Sequence, residues 1–156
     1  MKMRHSARAV IINRDGLVLL YKFTFRFAGC EKVFWVTPGG GLGDGENYED
    51  ALKRELSEEA GLKLDDVGPW LWTREVLIDG DAPFISYERL FLVRVTDFAV
   101  SLDNLTPNEI ETLKEYRWWS ADDILESDDA FSPPGIGRIV REINAGVIPA
   151  SPTVLD

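Results

Sequence analysis

The 156-residue chain holds one cysteine and one histidine. Cys30 has no partner for an internal disulfide, so a reducing cytoplasm is the expected compartment. A thiol nucleophile needs a base, and His5 is the only imidazole available, so Cys30 reads as a structural or loop thiol. No run approaches the roughly 18 apolar residues of a membrane span. The N-terminus turns polar within a few residues of its one apolar run and lacks a small-residue cleavage site, so no signal peptide is expected. Positive charge is scarce: 17 Lys and Arg stand against 27 Asp and Glu, for a formal net charge of −10. That balance argues against non-specific nucleic-acid binding, which depends on cations neutralising phosphates. What is abundant is apolar surface, 45% of residues with five Trp and eight Phe. The expectation is one globular domain over residues 1–156, with a core of its own. The composition is compatible with a homodimer.

Taken in order, Ala7–Asn13 and Leu17–Phe23 read as strands around Arg14-Asp15-Gly16, since Asp-Gly between apolar runs signals a hairpin. Thr24–Lys32 reads as a Phe-rich loop, and Val33–Thr37 as a short strand stopped by Pro38. Trp70–Ile78 is a strand with Trp70 and Trp72 on one face. Phe84–Thr96 is another, with Tyr87, Arg89, Phe91 and Val93 opposite Glu88, Leu90, Leu92 and Arg94. Thr106 as cap and Pro107 at N1 open a short turn or helix; Tyr116–Trp119 is a last strand, and Ser120 caps Ala121–Leu125. A helix after Ser132-Pro133-Pro134 ends near Asn144, with Ile136, Ile139, Val140 and Ile143 on one face. Residues 145–156 read as a loose tail. The order of elements predicts an α/β fold, a mixed sheet with helices on both faces.

The most informative stretch is Gly40–Leu62, a glycine-rich loop followed by a helix from about Asn47 to Ala60. Asn47 suits the N-cap, Gly61 the C′ position, and Ala51, Leu52, Leu56 and Ala60 recur at helical spacing. Glu55, Glu58 and Glu59 fall within about a third of the helix circumference. Like charges at that spacing cost about 0.2–0.5 kcal/mol per pair. A solvated acidic face is the plain reading. Against it, Glu59 borders the apolar stripe, Arg54 can hold Glu58 four residues on, and the loop brings free backbone groups to the same end. Three oriented carboxylates with a backbone carbonyl make a hard-oxygen site suited to Mg²⁺ or Mn²⁺.

Gly40, five residues, Glu46, seven residues, then Arg54-Glu55-Leu56-Ser57-Glu58-Glu59-Ala60-Gly61-Leu62 resembles the Nudix box at every defined position. The flanking strands and the late Glu111…Trp118-Trp119-Ser120-Ala121-Asp122-Asp123 segment also look Nudix-like. The resemblance implies an α/β/α sandwich. It also implies a nucleotide-type substrate, a nucleoside diphosphate linked to another moiety, cleaved when water attacks phosphorus with a divalent metal bound. A metal would reconcile an acidic protein with an acidic substrate by supplying positive charge locally.

By the same resemblance Glu58 and Glu59 are metal ligands beside the Gly40 carbonyl. Glu55 is a further ligand or the group that orients or deprotonates the water, and Arg54 fixes carboxylate geometry. Glu46 stabilises the loop. Many members add an acid from beyond the box; Glu111 and Glu109 rank first, ahead of Glu115 and of Glu88 in the long strand. Phosphate contacts could come from Arg26, placed in the loop, or from Lys22, Arg74 or Arg89. Phe25, Phe27, Trp35, Trp72 and Trp118 could stack a base, though aromatics in a small domain mostly pack. A nucleoside triphosphate or modified nucleotide is the favoured substrate, with NDP-sugars and dinucleoside polyphosphates as alternatives. A non-catalytic nucleotide sensor would show replaced box carboxylates, and none is replaced here.

Overall fold

A computed structural model of the chain describes residues 1–27 and 29–156, without the side chains of Phe27 and Lys114. The candidate stacking ring of Phe27 therefore lies outside the described residues. The framework is one mixed sheet. Strand β1 (Lys2–Ile12) runs parallel to β6 (Phe84–Arg94) along its whole length and antiparallel to the short β4 (Gly39–Gly41). Strand β2 (Val18–Phe27) meets β1 at Ile12 and Val18, then pairs with β3 (Cys30–Val36) and β7 (Leu113–Trp119). Strand β5 (Trp70–Ile78) joins β6, and β8 (Phe131–Ser132) and β9 (Thr153–Leu155) close the two edges.

Strand alternation sends side chains to two cores. Ala7, Ala9, Ile11, Leu19, Tyr21, Phe91 and Val93 pack with Ala51, Leu52, Leu56 and Ala60 of helix α1 (Tyr48–Ala60). Val10, Ile12, Val18, Leu20, Leu90 and Leu92 face the other way. There they meet Ile124 of α3 (Ala121–Glu126) and Ile136, Ile139, Val140 and Ile143 of α4 (Ile136–Asn144). The remaining helix, α2 (Pro107–Thr112), leads into β7. Burial on both faces explains why the strands read as nearly continuous apolar runs. The architecture is the expected α/β/α sandwich. Among the described residues no helix is long and apolar enough to cross a membrane.

Four local expectations are corrected. Thr24–Lys32 is not a loop: β2 continues to Phe27 and β3 begins at Cys30, with Phe23 opposite Phe34 and the Phe25 and Phe34 rings 6.0 Å apart. Aromatic pairs across strands hold such a hairpin together. Trp70 and Trp72 do not share a face, because a β-bulge between them places Trp72 in the α3/α4 core and Trp70 against the α1 core. The tail is not loose throughout, since Thr153–Leu155 pairs with β5 and Arg74 Nε donates to the Asp156 carbonyl at 3.2 Å. Finally, Gly39–Gly41 is a strand, not a free loop, paired to Ser6–Arg8.

Candidate active site

Helix α1 carries the site. The Asn47 side chain accepts from the Asp50 amide at 2.8 Å, and Gly61 closes the helix in the left-handed region at φ 67°. Its buried stripe contains a charge: Glu59 lies among Ala51, Leu52, Leu56 and Ala60 and is 2% exposed. One Glu59 oxygen accepts from the Gly39 amide of β4 at 2.8 Å. Glu55, one turn earlier, presses against the same strand. A Cβ added at Gly40 would lie 2.5 Å from the Glu55 carboxyl carbon, so only glycine fits there without moving the carboxylate.

A third carboxylate arrives from α2. Thr106 caps that helix by accepting from the Glu109 amide, while Glu109 Oε1 accepts from the Thr106 amide at 3.0 Å, a reciprocal capping box. The box orients Glu109, and one oxygen each from Glu55, Glu59 and Glu109 lies within 4.8 Å of the others. Burial is the main force raising the Glu59 carboxyl; Arg8 and the Gly39 amide oppose it, Glu55 and Glu109 add to it, and the net result is a pKa of about 8. Glu55 is also raised, by burial first and against the pull of Arg54. A nearly buried, mutually repelling set of carboxylates is a poor structural device and a good hard-oxygen cation site. Its donors are all carboxylate oxygens, which suits Mg²⁺ or Mn²⁺ rather than Zn²⁺.

Arg54 braces the outer side. It donates to Gly41 O at 3.0 Å, Glu55 Oε1 at 3.0 Å and Glu58 Oε2 at 3.5 Å. Its shortest contacts are with Glu46, which is thereby held down near a pKa of 2, helped by the Gly43 amide. Glu58 stands outside the three-carboxylate cluster, partly exposed and tied to Arg54.

A cavity of about 710 Å³ opens between β1, β3, β5 and β6. Its walls include Phe25, Phe34, Phe84 and Phe131, and its floor is an ion-paired set. Glu88 Oε2 accepts from Arg8 Nε at 3.2 Å and Glu88 Oε1 from Arg74 Nη1 at 3.4 Å; Arg74 Nη1 also donates to Ser132 Oγ at 2.8 Å. Gly41 lines the same cavity, so the cavity and the carboxylate cluster are connected through β4.

The sequence candidates divide accordingly. Glu55, Glu59 and Glu109 converge, and Gly40 touches them. Glu111, two residues beyond Glu109 on the short α2, is exposed and outside the cluster. Arg26 is on a strand and pairs with Glu31 at 3.7 Å, at the cavity rim. Lys22 pairs with Glu115 at 3.4 Å. The Arg89 guanidinium is stacked between the rings of Tyr48 (4.1 Å) and Trp70 (3.9 Å), on the strand face opposite Glu88. Arg8 is not among the sequence candidates; its signal is an arginine between Ala7 and Ala9, just ahead of the apolar run Val10–Ile12.

The NUDIX domain family matches residues 2–138. The chain is 31% identical over 123 residues to the nucleoside triphosphatase NudI of Escherichia fergusonii, covering 76% of this chain and 83% of that protein. The crystal structure of a MutT NUDIX hydrolase from Burkholderia pseudomallei is similar over 91% of this chain and 98% of that one, with 26% identity and a TM-score of 0.63. The NUDIX domain of Shewanella oneidensis NrtR complexed with ADP ribose shares the fold at a TM-score of 0.66, with 19% identity over 92% of this chain and 89% of that one. With the box, the sandwich and the carboxylate cluster in place, the chain belongs to the Nudix family, as an enzyme of its nucleotide pyrophosphohydrolase type.

Proposed function

We propose that the chain hydrolyses a phosphoanhydride bond in a nucleoside triphosphate or modified nucleotide, with Mg²⁺ or Mn²⁺ held by Glu55, Glu59 and Glu109. The observation that carries this is the convergence of those three carboxylates from two segments fifty residues apart in the chain (|i−j| = 50 between Glu59 and Glu109). The Gly40 carbonyl and Glu58, the other two candidates of the box, would be further donors from β4 and from the exposed side of α1. When bound, the cation neutralises the carboxylates and the phosphate oxygens that gain charge as the bond breaks. The chain's own residues do the positioning. Arg54 holds Glu55 and Glu58 in fixed rotamers, Glu109 is oriented by its capping box, and the cavity receives the part of the substrate beyond the phosphates. Glu55 would serve as a ligand or as the group that orients or deprotonates the attacking water.

A second reading, a nucleoside diphosphate linked to a sugar, has support in the size of the cavity, which is ample for more than a base, and in the ADP ribose bound by the Shewanella domain. A panel of nucleoside triphosphates, NDP-sugars and dinucleoside polyphosphates, run with Mg²⁺ and Mn²⁺ in ¹⁸O-water, decides between them and identifies the broken bond. Triphosphates turning over fastest is the expected result; fastest turnover of an NDP-sugar would favour the second reading, and no turnover of any member would overturn both.

A further inference from the structure

Arg8 precedes Gly39 by 31 residues and lies outside the Gly40–Leu62 signature, yet it touches both the cavity and the strand that supplies the metal-type site. Strand alternation puts it on the face of Val10 and Ile12, where an unpaired charge would be costly. Its guanidinium is well occupied: Nε donates to Glu88 Oε2 at 3.2 Å, and Nη1 to the carbonyls of Thr37 at 3.1 Å and Gly39 at 3.3 Å. The carbonyl of Pro38, between those two, accepts from the Ala9 amide at 2.8 Å. Three successive carbonyls leading into β4 are thus held from β1.

Gly39 is gripped from both sides. Its amide donates to Glu59 Oε1 at 2.8 Å, and its carbonyl accepts from Arg8. That carbonyl belongs to the Gly39–Gly40 peptide, so its direction sets the conformation from which Gly40 presents its own carbonyl. Close packing leaves no slack: a Cβ at Gly39 would sit 2.1 Å from the Ala7 carbonyl oxygen. On the far side Glu88 is itself fixed by Arg74, which is tied to Ser132. We propose that Arg8 is a positioning residue for the metal-site strand β4, clamping the Thr37 and Gly39 carbonyls so that Glu59 and Gly40 face the cation, with Glu88 on the cavity floor as its anchor. A guanidinium can span a carboxylate and two carbonyls at once, whereas an ammonium offers one point of attachment.

The inference rests on the metal site proposed above, and Mn²⁺ binding to the resting protein, followed by the electron paramagnetic resonance of free Mn²⁺, tests the two separately. Glu59→Gln tests the site: Mn²⁺ affinity equal to wild type in that variant would overturn the site reading itself. Arg8→Lys tests the clamp and is expected to weaken Mn²⁺ binding by about 10–100-fold, the range for residues that orient metal ligands. Ile139→Val, in the α4 core away from the site, serves as the control for general destabilisation. Loss in Glu59→Gln with wild-type affinity in Arg8→Lys would overturn the clamp while leaving the site intact. So would an equal loss in the Ile139 control, which would make Arg8 a stability residue only. Glu88→Gln is expected to weaken Mn²⁺ binding less than Arg8→Lys, and the double variant no more than Arg8→Lys alone. Losses that add would overturn the anchoring through Glu88.

Discussion

Arg54 and Glu46 form a two-pronged ion pair, with Nε donating to Oε2 and Nη2 to Oε1, both at 2.9 Å. From sequence the natural partner of Arg54 is Glu58 at i+4, but that contact is the longest of its five hydrogen bonds. The five bonds match the five N–H donors of a guanidinium. Arg54→Lys keeps the charge and loses the fork, so Glu55 and Glu58 lose their common brace. Metal affinity or turnover should fall by about 10–100-fold, while the melting temperature moves little because helix propensity is preserved. An Mn²⁺ titration followed by turnover at saturating metal checks this; wild-type values in both would return Arg54 to the rank of a partly exposed surface cation.

Glu59 makes the metal-free protein pH-sensitive. Its carboxyl is raised from an ordinary 4.5 to about 8, chiefly by burial. Between those values the folded chain keeps a proton that the unfolded chain has released, so stability falls as pH rises. The contribution is fully present below about 4.5 and lost by about 8. Denaturant midpoints of EDTA-treated wild type and Glu59→Gln, measured across pH 5 to 8, should therefore converge at low pH and separate at high pH, with Gln the more stable. Curves that stay parallel would show that Glu59 is already ionised in the fold. Glu59→Gln should also abolish most turnover.

Glu109 and Glu111 stand two residues apart and differ in what they face. Glu109→Gln keeps the capping box, since an amide oxygen still accepts from the Thr106 amide, but removes a charge from the cluster. Mn²⁺ affinity should fall by about tenfold or more in Glu109→Gln and stay unchanged in Glu111→Gln. Equal losses in both would mean that α2 approaches the metal by some other route.

The contrast between these two acids marks how far the sequence could be read. Thr106 and Pro107 predict the start of α2, and Thr106 with Glu109 spells a capping box; yet which acid of a short helix points inward depends on how α2 and β7 sit against β2. Helix α1 was legible to within a residue at each end, because caps, apolar stripe and C′ glycine are local signals. Arg26 was misplaced because the β2–β3 hairpin is held by aromatic pairs across strands, which no window of consecutive residues displays. Arg8 and Glu88 meet from positions 80 apart. The cavity floor is a product of parallel β1–β6 pairing, and its chemistry appears only once that register is known.

Gly39 and Gly40 are neighbours in β4 with opposite reasons for being glycine. Gly39 has φ +139°, and a Cβ there would meet the Ala7 carbonyl oxygen at 2.1 Å and Arg8 Cα at 2.7 Å. Both are backbone atoms of a central strand and cannot yield. Gly39→Ala should therefore destabilise the fold itself, by roughly 1–3 kcal/mol from the backbone conformation alone, with the collision added. Gly40 has no left-handed φ, and the nearest atoms an added Cβ would meet are those of the Glu55 carboxylate, at 2.5–2.8 Å. The end of a glutamate side chain can swing away at little cost, so Gly40→Ala should fold with a melting temperature close to wild type. What it loses is the position of a proposed metal ligand, and Mn²⁺ affinity should fall by about 10–100-fold. Melting curves without metal and Mn²⁺ titrations on both variants separate the roles. Gly40→Ala with unchanged metal affinity would show that Glu55 can bind from a second rotamer, and that its contact with Gly40 is not what holds the site together.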